Sequence, residues 1–209
     1  MEVYGEWLVI TGAWIQTIGA GVTAIGNTIA ATVKGDSADE EVSSELYILG
    51  NGIEATGNSL QAIGQTRIQE SEDETMGIAG DWLQAAGNIA NVVGGSFVLN
   101  GQVEEGLSVD IIGDVIQSTG AAFEAHSSSL RESDYAALIV AGQRIQSISV
   151  AIEAIGLVNL KKGKNKLGQQ LLAIGSYGLT AGAALSAIGF TKEYHQTHSF
   201  NRWNNGNYL

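Results

Sequence analysis

The sequence predicts an all-α protein, an up-and-down bundle of about six long antiparallel helices built from an internal repeat. Glycines recur every seven residues, which is two turns of a helix and not the two-residue period of a strand. Proline is absent while glycine reaches 28 of 209 residues, against roughly 15 glycines and roughly 10 prolines in average usage. Short charged segments break the pattern at intervals, as connections between antiparallel helices do.

The first helix, about 5–33, carries Gly5, Gly12, Gly19 and Gly26. After the charged segment Lys34-Gly-Asp-Ser-Ala-Asp-Glu-Glu41 comes a second helix, about 43–68, with Gly50, Gly57 and Gly64. The acidic run Glu70-Ser-Glu-Asp-Glu74 opens a third, about 74–100, with Gly80, Gly87 and Gly94. Gly101-Gln-Val-Glu-Glu-Gly106 leads into a fourth, about 107–129, with Gly113 and Gly120 following Gly106. Arg131-Glu-Ser-Asp134 precedes a fifth, about 134–160, in which Gly142 and Gly156 flank Ser149 at the same step. Lys161-Lys-Gly-Lys-Asn-Lys166 precedes a sixth, about 167–194, with Gly168, Gly175, Gly182 and Gly189. Residues 1–194 thus read as a single repetitive helical domain. Residues 195–209 read as a polar aromatic tail without a helical pattern, containing Trp203 and Tyr208.

Aligned on glycine, the copies share a phrase: Gly12-Ala-Trp-Ile-Gln-Thr-Ile-Gly19, Gly80-Asp-Trp-Leu-Gln-Ala-Ala-Gly87 and Gly113-Asp-Val-Ile-Gln-Ser-Thr-Gly120. With glycine as position a, position d is Ile15, Ile53, Leu83, Ile116 and Ile145, and g is mostly Ile, Ala or Thr. Position e is Gln16, Glu54, Gln84, Gln117 and Gln146. Apolar a, d and g form one broad stripe, expected to face the core, with polar b and e beside it. The phrases Trp14-Ile-Gln-Thr-Ile-Gly19 and Gln61-Ala-Ile-Gly-Gln65 resemble those of uncharacterised "repetitive protein" families of spore-forming Gram-positive bacteria. That resemblance supports the repeat and implies no activity or site residue.

A helix-interior glycine costs roughly 1 kcal/mol relative to alanine, so a periodic series needs an offsetting gain. Close backbone approach supplies one, through van der Waals attraction and weak C–H···O hydrogen bonds. The predicted packing seam is therefore Gly12, Gly19, Gly26, Gly50, Gly57, Gly64, Gly80, Gly87, Gly94, Gly113, Gly120, Gly142, Gly156, Gly175, Gly182 and Gly189. Trp7, Trp14 and Trp82 share position c and, with Trp203 and Tyr208, are candidates for an interface.

Chemistry is sparsely represented. The net charge of −12 argues against nucleic-acid binding. With no cysteine, thiolate zinc sites are excluded. His195 and His198, near Glu193, are expected to be solvated, and no phosphate loop or nucleophile elbow occurs. The Met1-Glu2-Val3-Tyr4-Gly5-Glu6 start has no basic n-region, so a cytoplasmic location is expected, with spore association in view of the resemblance. No enzyme activity, cofactor or metal is expected. The e-position ring of Gln16, Glu54, Gln84, Gln117 and Gln146 is the candidate lining for an internal site and is expected to form interhelical hydrogen bonds. The first functional expectation is a non-enzymatic structural protein that associates with itself through Gly/Ala seams into an ordered homo-oligomer or polymer. The alternative is a membrane-active bundle, of pore-forming or immunity type, that inserts its first and last helices, since Trp7 to Val33 and Leu167 to Thr191 carry no charge.

Overall fold

With no proline to interrupt them, the periodic stretches run as unbroken helices. The structure, a computed structural model, describes residues 2–32, 37–69 and 74–206. It contains α1 (Glu2–Thr32), α2 (Ser37–Ile68), α3 (Thr75–Leu99), α4 (Val103–Ser129), α5 (Ala136–Lys161) and α6 (Asn165–Gly206). Each helix packs on its neighbours in the chain, and α1 also packs on α6, so the six close into a ring. The helices are most intimately packed within three hairpins, α1·α2, α3·α4 and α5·α6.

Two of the turns are built alike. Gly101, at φ 82°, and Gly163, at φ 73°, adopt the left-handed conformation that ends a helix cheaply only for glycine. After each, the chain closes back on the helix: Gln102 N–H donates to Phe97 O at 2.9 Å, and Lys164 N–H to Asn159 O at 2.9 Å.

Two helix boundaries differ from those expected. α2 begins at Ser37 instead of near 43, with Asp39 and Glu40 in its first turn against the positive end of the helix dipole. α6 runs past 194 to Gly206, so the expected non-helical tail is helical through that residue. It is tied to the start of α1: the Tyr194 and Trp7 rings lie 5.1 Å apart, and His198 Nε2 is 2.7 Å from Glu6 Oε2.

The glycines spaced seven apart stand where hairpin backbones meet. A Cβ on Gly57 would lie 2.6 Å from Gly12 O, one on Gly87 2.6 Å from Gly113 O, and one on Gly182 2.7 Å from Gly142 O. Gly19 and Gly50, Gly80 and Gly120, and Gly94 and Gly106 form the same reciprocal pairs. Gly64 faces Gly5, and Gly156 faces Gly168. Gly26 meets Ser43 O, Gly175 meets Ser149 O, and Gly189 meets Ile139.

The expected inward stripe is overturned. Position g is exposed at Ile18, Ile25, Ile63, Ile148, Ile155 and Ile188, and d is only half-buried at Ile15, Ile53, Leu83 and Ile116. Gln16, Glu54, Gln84, Gln117 and Gln146 do not lie beside a core stripe but line the interior, the other place considered for them. The cause is geometric. Once glycine a faces the partner backbone, positions b and e on its flanks turn into the ring, while c and g, about 200° and 240° round the helix from a, turn outward.

The contrast between glycines gives a test. Gly57→Ala should lower stability by about 1–3 kcal/mol, because nothing around its Cβ is a flexible chain end. Gly21→Ala, whose Cβ would find only Thr180 Cγ2 at 4.0 Å, should be neutral or stabilising by up to about 1 kcal/mol. Loss of helical circular dichroism on heating measures both.

Candidate functional site: a polar interior

Because b and e point inward, the ring encloses amides and carboxylates. Gln16, Gln84 and Gln146 come from α1, α3 and α5 and meet across the ring: Gln16 Nε2 donates to Gln146 Oε1 at 2.7 Å and to Gln84 Oε1 at 3.4 Å. Gln61 Nε2 of α2 donates to Gln16 Oε1 at 3.0 Å, and Gln146 Nε2 reaches Gln143 Oε1 at 3.0 Å and Ser186 Oγ at 3.3 Å. A single amide thus joins four helices.

Nearer the Gly101 and Gly163 turns lies a carboxylate layer. Thr23 Oγ1 donates to Glu54 Oε1 at 3.0 Å, Asn91 Nδ2 to Asp114 Oδ1 at 2.9 Å, and Ser176 Oγ to Glu153 Oε1 at 2.5 Å. Asn27 Nδ2 donates to Ser176 Oγ at 2.6 Å, and Asn91 Nδ2 also to Asn51 Oδ1 at 3.3 Å. Among the described residues the ion pairs are Arg131–Glu193 at 2.9 Å and His198–Glu6 at 2.7 Å, so none of the interior carboxylates is in an ion pair, and Arg131 is the cation that shares a cavity with one of them, Glu124.

The polar groups are concentrated on one side. Buried apolar clusters lie on the other: Val9, Ile10, Ala13, Ile139, Ala187 and Phe190 at one end, Ala20, Val150 and Leu179 midway, and Leu107, Leu157 and Leu172 at the far end. The buried apolar residues of α2 and α3 are alanines, Ala55, Ala62 and Ala85. Between α2, α3 and α4 the interior is therefore amide and carboxylate from end to end: Asn51, Asn58, Asp81, Asn88, Asp110 and Glu124 among them.

A cavity opens at each end of this polar side. One, of about 200 Å³, is lined by Gln65, Gly77, Ser128 and Arg131 and reaches Glu124. The other, of about 110 Å³, lies between Ser43 and Tyr47 on one wall and Leu107, Leu157 and Leu172 of the apolar cluster on the other, and reaches Asp110.

The candidate interface residues lie outside the ring. Trp7, Trp14 and Trp82 are 50%, 40% and 47% exposed, and Trp14 Nε1 donates to Thr191 Oγ1 at 3.2 Å. The Trp203 side chain and Tyr208 lie outside the described residues, as do the loop residues 33–36 and 70–73. Glu104, Glu105 and the lysines of 161–166 share one end of the ring, where Lys161 Nζ donates to Ser108 Oγ at 2.6 Å. His195 is exposed, and no cluster suited to a metal ion occurs among the described residues.

The repeated phrase brings out the e-position ring of Gln16, Glu54, Gln84, Gln117 and Gln146 but not the b positions, nor the e-position carboxylates Asp110 and Glu124. The sign was available: Asp81 and Asp114 directly follow Gly80 and Gly113, and Asp110 and Glu124 stand four residues after Gly106 and Gly120. They share the glycine-flanking face with Gln16 and Gln84.

Residues 7–187 match the Family of unknown function (DUF6944). The chain belongs to this family. No curated protein and no solved structure matches the chain.

Removing the shared amide gives the second test. Gln16→Ala deprives Gln61 of an acceptor, and Gln84 and Gln146 of a donor, inside the ring. Stability should fall by about 1–3 kcal/mol in thermal or denaturant unfolding.

Proposed function

We propose that the protein is an integral membrane bundle of six spanning helices, with its apolar outer surface against lipid and its polar interior sealed from it. The observation that carries this reading is the arrangement of charge. Over residues 7–29, 46–66, 75–99, 106–125, 137–160 and 167–191, every Asp and Glu is buried, and Arg144 is the one charged residue on the outside. Each stretch is about 20 residues or longer, enough to cross a hydrocarbon layer about 30 Å thick. Arg144 stands two turns inside α5, with a long side chain suited to reach toward the headgroups.

The outside is apolar on all six helices: Ile18 on α1, Leu49 on α2, Ile89 on α3, Ile112 on α4, Ile148 on α5 and Ile174 on α6 are each more than half exposed. A partner protein would cover one sector of such a ring, whereas a bilayer covers its circumference. Exposed hydroxyls on this surface donate to their own helix, as Thr56 does to Gly52 O at 3.0 Å and Thr119 to Val115 O at 2.8 Å, which suits a medium that offers no partner.

Three helices, α1, α5 and α6, are long and apolar enough to cross a membrane by composition alone. α2, α3 and α4 fall short in composition because of amides as well as carboxylates, yet Asn58, Asn88, Asn91, Asp110 and Asp114 among these are buried. One end of the ring also gathers the groups that anchor at headgroup level: Arg67 stacks over Tyr4 at 5.1 Å, Lys192 over Tyr135 at 5.7 Å, and Trp7 lies against Tyr194. The regular spacing of inward groups suits descent of the six helices from one repeated unit. Self-association through Gly/Ala seams has less support, because each seam is occupied by the partner helix of its own hairpin.

Co-flotation with liposomes and resistance to alkaline carbonate extraction test the proposal, and both are expected. Ile148→Asp, on the outer face, should weaken insertion by about 3–4 kcal/mol and shift protein to the soluble fraction. A wild-type chain that stays soluble and monomeric without detergent would sink the reading.

A further inference from the structure

We infer that the polar side of the ring, between α2, α3 and α4, is a proton path from the Glu124 cavity at one end to the Asp110 cavity at the other. The inference rests on the membrane reading and assigns an activity to its interior. Glu124 and Asp110 belong to the same helix, fourteen residues apart, which is about 21 Å of rise and most of a hydrocarbon layer. Each lines an end cavity. Further buried carboxylates stand in the interior between them: Asp81, which follows Gly80 at its contact with Glu124, and Glu54 and Asp114.

These groups are held ready for a ligand that the protein itself does not supply. Both oxygens of Asp81, Glu54 Oε2 and Asp114 Oδ2 are buried and accept no hydrogen bond. Asn91, 2% exposed, gives its amide to Asp114 and Asn51 and leaves its own oxygen without a donor, and Asn88, fully buried, leaves both its amide atoms unpartnered. A buried polar group without a partner costs about 1–3 kcal/mol, so a file of them signals small polar occupants, and water is the smallest. Carboxyls linked by water pass protons: one carboxyl releases its proton to water, and the water delivers one to the next carboxylate, carrying one positive charge per step. Glu6, Glu74 and Arg131 at the Glu124 cavity and Tyr47 at the Asp110 cavity are the other ionisable groups at its mouths. No group of acidic side chains or histidines converges tightly enough for a bound metal ion among the described residues, which favours protons over a chelated cation.

The experiment uses the full chain in liposomes that enclose a pH-sensitive dye, with a potassium gradient and valinomycin setting an inside-negative potential. Wild-type vesicles should acidify several-fold faster than protein-free ones. Asp114→Asn keeps the shape that receives the Asn91 amide, and with Asp81→Asn it should bring the rate to the protein-free level, while Asp114→Glu retains flux. Matching circular dichroism shows that each variant is folded. Wild-type acidification no faster than in protein-free vesicles, or undiminished flux in both asparagine variants, overturns the proton path. Flotation run on the same vesicles separates the two proposals. A chain that floats without flux overturns the path alone, and one that does not float overturns both.

Discussion

The meeting of backbones at glycine sets the architecture. Wherever Gly12 meets Gly57, or Gly87 meets Gly113, two helices approach closer than side chains would allow, and the rotation of each helix about its axis is fixed. Everything else follows from that rotation. Positions b and e flank the seam and are carried into the ring; positions c and g are carried out. A hairpin held by ordinary apolar packing could roll by tens of degrees to hide its isoleucines. One held by a row of carbonyl oxygens pressed against bare glycines cannot, because a small roll brings Cβ atoms of neighbouring residues into the partner backbone. The glycines therefore do more than tighten the bundle, since they decide which chemistry is inside.

The result inverts the pattern of a protein that folds in water, where burial of large apolar side chains supplies the dominant stabilisation. Here the largest fully buried side chains include Gln16, Gln61, Gln84, Gln117, Gln143 and Gln146, and the isoleucines of position g face out. Cohesion comes from close helix packing, from amide networks that cross several helices, and from alanines such as Ala24, Ala62 and Ala187 that let neighbouring hairpins approach. Such terms need no water outside the bundle to be favourable. Averaging hydropathy along a helix cannot register this inversion, because it does not distinguish the buried Asp81 from an aspartate facing outward.

The six helices were legible in the sequence because they depend on local rules, helical periodicity and the absence of proline. The handedness of exposure was not. Apolar a, d and g suggest a core stripe, and nothing within one helix reports which of its faces meets the neighbouring helices. Asp114 and Gln117 share the face of Gly113, but recognising that face as the inner one requires knowing that Gly113 is pressed against Gly87, which belongs to another helix. The end of α6 was missed for a related reason: Tyr194 and His198 gain their partners, Trp7 and Glu6, from the opposite end of the chain. The cavities at Glu124 and Asp110 depend on three and more helices at once and left no sign in any single segment.

Closure of the ring by α1 against α6 also imposes an order on biosynthesis. α1 lacks one of its two neighbours until the last helix has been made, so Asn27 waits for Ser176 and Gln16 for Gln146 while the intervening chain is synthesised. Each hairpin can form as it emerges, since its glycine seam is internal, but its inward amides stay open on one side. The nascent protein is a series of half-shielded polar faces that become enclosed together when the final hairpin docks. A chain stopped before α6 would expose the interior lengthwise, making it a natural target for quality-control proteases.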